Sequence, residues 1–412
     1  MRQILERELT LTNAIVVRAD RVIDRGSVVV ADGLIIEVND RVYPSGRDVV
    51  DLAGRVLLPG LVDLHNDAIE REINPRPDVG FPIPYAYRQL DRKLISAGVA
   101  TQFHAVSYSE RPDRERKLSF ANALVHEAYA LNAVGGSLDH RVMFRLDIRT
   151  EGAFDDLVSC LELTPDPLVS LNDHVPGQGQ YRDVSSLRSY MAREVKGAGA
   201  DEQIDALLAA SLDRVRQTQP LVEATFRQAA ELKRRRGDSL TLVSHDDDSP
   251  DRVDFMVDLG CTIAEFPLNL ETARHAHVRG MTIAMGAPNA FRGGSISGNG
   301  SALEFVAHGL VDILVADYYA PALIGAAARI FAAGLLDLPA AVRLISANPA
   351  AAAGLGDRGR IEPGLRADLA ICGHIFDDGL VDAVLIGGEW RCLAAGLLSP
   401  SAVSELVRAR SF

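Results

Sequence analysis

Residues 57–77 read LLPGLVDLHNDAIEREINPRP, and this stretch decides the fold. An apolar run from Val56 to Leu64 ends abruptly in His65-Asn66-Asp67. In a strand, residues two apart face the same way. His65 and Asp67 therefore project together from the end of a buried strand, an imidazole beside a carboxylate, which is half of a metal site.

Working outward, the same texture recurs. Apolar strand candidates lie at 57–65, 99–106, 141–148, 168–174, 240–245, 261–265, 282–287 and 312–317. Helical stretches such as 118–133, 201–236 and 301–308 separate many of them. Strands alternating with helical crossovers predict an α/β fold, a (β/α)8 barrel. The segment 177–236 is too long for one crossover and predicts extra helices. Residues 11–53 read instead as short β-branched strands with turns at Ala31-Asp32-Gly33 and Pro44-Ser45-Gly46, and β texture returns in GRIEPGLRADLAICG and LVDAVLIGGEWRC. The expected organisation is a composite β-sandwich domain from 1–55 plus 355–412, around a barrel spanning 56–354.

Composition narrows the function. A net charge of −13 argues against nucleic-acid binding, which needs basic surface. No run of about 18 apolar residues occurs, which argues against a membrane span. The charged start MRQILERELT lacks the apolar stretch of a signal peptide, so a cytoplasmic protein is expected. Cys160, Cys261, Cys372 and Cys392 are widely spaced and read as reduced thiols.

Polar residues recur where the predicted strands stop: Asp147 in FRLDIR, Asp173 and His174 in VSLNDH, His245 in LVSHDDD, Glu265 in AEFP and Asp317 in LVADYY. The carboxyl ends of barrel strands converge on one face, where active sites are built. His65, Asp67, Asp147, His174, His245 and Asp317 would bring three imidazoles and three carboxylates to one pocket, a donor set that suits two zinc-like ions. Asp147 stays open between a ligand and a helix cap or partner for Arg145 or Arg149. Asp246, Asp247 and Asp248 read either as a solvated charge run or, for Asp246, as part of the site. His104 ends another strand and is expected to support the site or touch substrate.

The terminal segments, with LLPGLVDLH leading into the barrel and GRIEPGLRADLAI closing the sandwich, resemble the amidohydrolase superfamily. HNDAIEREINPRP, SAGVATQFHAV, SLNDHVPGQGQ, SHDDD, AEFP, MGAPNAFRGGSISGN and ADYY narrow the resemblance to its triphosphate diphosphatases of phosphonate metabolism. A generic member shows His-x-His where this chain has His-x-Asp. The resemblance implies two divalent metal ions, zinc with manganese or iron as the other fits, held by His65, Asp67, His174, His245 and Asp317, and by Asp147 where the family has Glu. No lysine lies between 118 and 195 to supply the carboxylated bridge of many relatives. Superfamily members carry the two later histidines on barrel strands five and six, whereas the strands counted above put His174 and His245 on four and five.

The implied activity is release of pyrophosphate from a small phosphorylated sugar by a metal-activated hydroxide, with His245 and Asp317 as the catalytic residues and Asp317 taking the proton. Arg76 in the stiff Asn74-Pro75-Arg76-Pro77 loop suits phosphate contact, as does Arg292 with an anion nest over Gly293, Gly294 and Ser295. Asn299, Gln178 and Tyr318 are further substrate-binding candidates, and a homodimer is expected. The competing readings are a C–N hydrolase such as a cyclic amidase or deacetylase, a related phosphoester hydrolase, and a scaffold that has lost its metals.

Overall fold

The computed structural model describes residues 8–393 except 45–47, 77, 111–116, 165, 174, 177, 178, 180–184, 186, 187, 189, 190, 193, 194, 196, 198, 295–299 and 374–378. The apolar run that opens the barrel divides at Gly60 into two strands of two different sheets. β1 (Leu9–Val17), β2 (Val22–Ala31), β3 (Leu34–Asn39), β4 (Val49–Asp51) and β5 (Val56–Pro59) form one sheet with the C-terminal β14 (Leu369–Cys372), β15 (Val381–Ile386) and β16 (Glu389–Leu393). Its order is β16-β15-β14-β5-β1-β2-β3, with β4 beside β1. β5 is the hinge of this arrangement, pairing parallel to β1 and antiparallel to β14. A core of Leu11, Val16, Val28, Ile35, Leu57, Ile361, Leu369 and Leu385 backs the sheet.

Glycine is required at the division. A Cβ on Gly60 would lie 2.7 Å from the Ala100 Cβ and 2.9 Å from the Asp368 Cβ, so the barrel and the terminal sheet meet there with no room for a side chain.

The second sheet holds β6 (Leu61–Asn66), β7 (Val99–Tyr108), β8 (Asp139–Asp147), β9 (Leu168–Asn172), β10 (Thr241–His245), β11 (Cys261–Glu265), β12 (Thr282–Gly286) and β13 (Ile313–Val315), in sequence order and parallel throughout. A parallel bridge between Asn66 and Asp317 brings the last strand back to the first, closing a (β/α)8 barrel. Val62, Leu64, Phe103, Met143, Leu168, Val243, Ile263 and Val315 form one buried cluster from its strands, while a larger cluster packs the strands against helices. The helix at Leu118–Ala133 matches the sequence pattern, and the segment before β10 contains a helix of 37 residues, Ala200–Arg236. Among the described residues, no helix is long and apolar enough to cross a membrane. All four cysteines are free.

Candidate metal centre

The seam between β6 and β13 builds the centre. The Asp67 N–H donates to Asp317 O at 2.6 Å, and the Asp317 N–H donates to His65 O at 2.9 Å. Beneath them Asp63, fully buried, ties the same two strands: Oδ1 accepts from Ala316 N at 2.9 Å and His65 N at 3.3 Å, and Oδ2 accepts from Gln102 Nε2 at 2.7 Å. Burial holds the Asp63 carboxyl at about 6, above the usual carboxylate range, against the pull of these donors.

His65 Nδ1 donates to Glu265 Oε1 at 2.7 Å, and both side chains are only 1% exposed. That bond fixes the ring and leaves Nε2 facing Asp67 Oδ1 at 3.4 Å. Glu265 sits level with His245 across the β10–β11 ladder, and its Oε2 lies 3.6 Å from His245 Nε2. The Phe266 ring packs against both imidazoles, at centroid distances of 5.6 Å to His65 and 5.4 Å to His245. Two groups of side chains, His65–Asp67–Asp317 and His65–His245–Glu265, each present ligand atoms within 4.8 Å of one another.

These residues fit a divalent cation on a structural ground. His65 Nε2 and Glu265 Oε2 are buried polar atoms without a hydrogen-bond partner among the described residues, an arrangement that costs stability unless something charged is bound there. The electrostatics agree. Burial works to lower the His65 pKa, but the Glu265 and Asp67 carboxylates outweigh it and raise it well above the usual imidazole value. Burial pushes the Asp317 carboxyl up to about 6, with Asp67 and Glu265 adding to the rise and His65 and Arg145 opposing it.

Three non-glycine residues at the strand ends sit in the left-handed region, Asp246 (φ 55°), Phe266 (φ 57°) and Asp317 (φ 55°). Such strain persists only where surrounding structure enforces it, and here it aims side chains around the centre. Asp246 and Asp247 are 9% and 1% exposed, so the acidic run is no solvated stripe. Asp246 Oδ2 lies 3.2 Å from His245 Nδ1, while Asp247 is held by the Ser244 hydroxyl.

Of the expected ligands, the structure brings His65, Asp67, His245 and Asp317 together. It does not bring Asp147 to them. Asp147 Oδ1 accepts from Arg149 N at 3.0 Å, and Oδ2 accepts from Thr150 Oγ1 at 2.9 Å and Arg214 Nη2 at 2.8 Å, which ties β8 to the 200–236 helix. The same strand sends Arg145 to the centre instead, where Nη1 donates to Asp67 Oδ1 at 2.8 Å. Asp173, at the end of β9, receives both Arg149 Nε (2.6 Å) and Nη2 (2.9 Å). His174 lies outside the described residues, as do Gln178, Ser295 and Asn299. The described barrel contains no further strand before β9, so His245 stands on strand five and Glu265 on strand six.

The other expected contacts divide. Arg76 and Arg292 are exposed, as loop and helix-end positions require. The nest over Gly293 and Gly294 is corrected: both N–H groups donate to Asn289 O, at 2.9 and 3.2 Å, closing the helix at Ala287–Arg292. Tyr318 is half-buried beside Asp317, with the Arg71 guanidinium 5.9 Å from its ring. His104 faces away from the centre, against the expectation. Its Nε2 lies 2.9 Å from His140 Nδ1, His140 Nε2 reaches Asp91 Oδ1 at 3.0 Å, and Tyr87 packs edge-on, so it belongs to the layer between β7 and the helix at Ile83–Ser96.

A cleft of about 450 Å³ opens beside His245 and Asp246, lined also by Asp173, Gln219, Glu223 and Arg252. Two neighbours in the site escaped the expected ligand set. Glu265 was visible as a strand-end carboxylate, and Arg145 shares a strand face with Asp147 two residues away, which sequence alone does not rank.

Over 331 residues the chain is 35% identical to the α-D-ribose 1-methylphosphonate 5-triphosphate diphosphatase of Escherichia coli (strain K12), a match covering 79% of this chain and 85% of that one. The chain belongs to this diphosphatase family. No family model matches it. Among solved structures, N-acetyl-D-glucosamine-6-phosphate deacetylase from Mycobacterium smegmatis superposes with a TM-score of 0.59 at 16% identity, covering 93% of this chain and 99% of that one. A β-aspartyl dipeptidase from Fervidobacterium islandicum AW-1 gives 0.57 at 15% identity, covering 95% and 99%. These likenesses establish a shared fold. Membership of the diphosphatase family makes the protein a hydrolase.

Proposed function

We propose that the protein hydrolyses the phosphoanhydride of α-D-ribose 1-methylphosphonate 5-triphosphate, releasing pyrophosphate. The observation that carries this reading is the 35% identity, spread over 331 residues, to an enzyme named for that reaction. The centre supports it. His65 Nε2, Asp67 and Asp317 would hold one divalent ion, and His245 and the outer Glu265 oxygen beside them are open to a second, with zinc the best match to this mixed imidazole and carboxylate set. Such ions, when bound, supply Lewis acidity and lower the pKa of water from about 15.7 towards 7.

The protein's own residues do the rest. Asp317 is ionised at neutral pH yet holds its carboxyl near 6, so it can take the proton of the attacking water and later surrender it. The Glu265 carboxylate keeps the His65 ring in one tautomer, and Phe266 closes the apolar side of both imidazoles. Arg76 and Arg292, both exposed, would receive the outer phosphates.

The test is a panel of ribose and nucleoside 5′-triphosphates, amides and lactones offered to metal-loaded protein. Pyrophosphate release from a triphosphate, with amides untouched, is the expected result. Turnover of a cyclic amide or N-acetyl sugar without pyrophosphate release would replace this reading with C–N hydrolysis. Bound metal below one equivalent, with no turnover of any substrate, would point to a scaffold.

A further inference from the structure

Arg145 is a half-buried cation of the centre, and the reading above does not use it. It stands on β8 two residues beyond Met143, whose side chain belongs to the inner barrel cluster, so strand alternation sends Arg145 to the same side at the mouth. Its guanidinium is anchored at one corner, where Nη1 meets Asp67 Oδ1 at 2.8 Å. Nε and Nη2 reach only Asn172 Oδ1, both at the long distance of 3.4 Å. The side chain keeps 13% of its surface exposed, so the weakly engaged edge is within reach of a bound molecule. Arg76 and Arg292 are exposed to solvent. Arg145 instead lies against the carboxylate that shares a ligand group with Asp317.

We propose that Arg145 is a catalytic residue, exchanging its long bonds to Asn172 for the non-bridging oxygens of the phosphoryl group under attack. The proposal rests on the function proposed above. In that reaction the water oxygen bonds to the α-phosphorus and its proton passes to Asp317. The bond from the α-phosphorus to the bridging oxygen breaks, and that oxygen leaves with the electron pair as pyrophosphate. Negative charge in the transition state spreads over the equatorial oxygens, and a planar guanidinium can meet two of them at once. A C–N hydrolase develops charge on one carbonyl oxygen and has less use for a fork. Arg145 therefore selects for phosphoryl over acyl chemistry.

Arg145→Lys keeps the charge and removes the fork; Arg145→Ala removes both. With metal content and thermal midpoint measured on each, Arg145→Lys is expected to lower kcat for triphosphate cleavage about 100- to 1000-fold while KM shifts less than about threefold. Metal content should match wild type, and added guanidinium ion should restore part of the Arg145→Ala loss. Unchanged kcat in Arg145→Lys would overturn the proposal. So would a loss of kcat that tracks a loss of bound metal, because Arg145 would then merely position Asp67. If wild type itself releases no pyrophosphate from any triphosphate, the functional reading fails first and the proposal falls with it.

Discussion

Asp63→Asn removes a charge from beneath the centre while keeping the shape. The wild-type carboxyl is held at about 6 rather than 3.8, because burial outweighs the three donors that reach it. A shift of about two units corresponds to about 3 kcal/mol between the protonation states. The folded protein binds this proton more tightly than the unfolded chain does. Its contribution to stability is therefore complete below pH 3.8 and is lost as the pH rises through about 6. Asparagine has no proton to lose; its Oδ1 keeps the Ala316 and His65 N–H donors, while its Nδ2 faces the Gln102 Nε2 donor, a cost that does not vary with pH. The stability of the variant relative to wild type should therefore rise by about 3 kcal/mol between about pH 3 and about pH 7.5. At about 2 cal/mol/K per residue, a chain of 412 residues converts this into a midpoint about 3 to 4 °C higher. Thermal unfolding of metal-depleted wild type and variant across this pH range gives the difference directly, and other raised carboxyls, such as Asp317 and Asp247, cancel from it. A gap that does not change with pH would show that the donors from Ala316, His65 and Gln102 hold the charge without penalty.

Asp317→Asn should abolish turnover while bound metal, measured by elemental analysis, stays within about a factor of two. In wild type the rate should fall at acid pH and level off towards neutrality, since Asp317 accepts a proton only when ionised. Arg149→Ala leaves Asp173 buried without its bidentate partner and should cost about 3 to 5 kcal/mol, read as a lower thermal midpoint and faster proteolysis near Val215 and Thr218, which Arg149 also holds. Gly60→Ala should cost about 1 to 3 kcal/mol through the contact with Ala100 and Asp368, with the same midpoint as readout.

The barrel was legible because its parallel strands are buried on both faces and read as apolar runs with polar ends. His65, Asp67, His245 and Asp317 followed from that single regularity. Other features depend on contacts that no local pattern encodes. The run from Val56 to Leu64 looks continuous, and only Pro59-Gly60 hints that it serves two sheets. Arg145 and Asp147 occupy the same strand face, and which one reaches the centre is settled by Asp67, 78 positions earlier, and by Arg214, 67 positions later. His104 follows strand alternation: Phe103 fills the barrel interior and its neighbour turns outward. Gly293 and Gly294 resemble an anion cradle only until the preceding helix claims their amides.

The position of β5 also bears on how the molecule is made. Val56–Pro59 has one neighbour from the start of the chain and another from residues 369–372. During synthesis that second flank lies bare, an adhesive ribbon, until more than three hundred further residues have emerged from the ribosome. Premature termination would thus leave the opening strands unguarded, and chaperone dependence should concentrate in that interval.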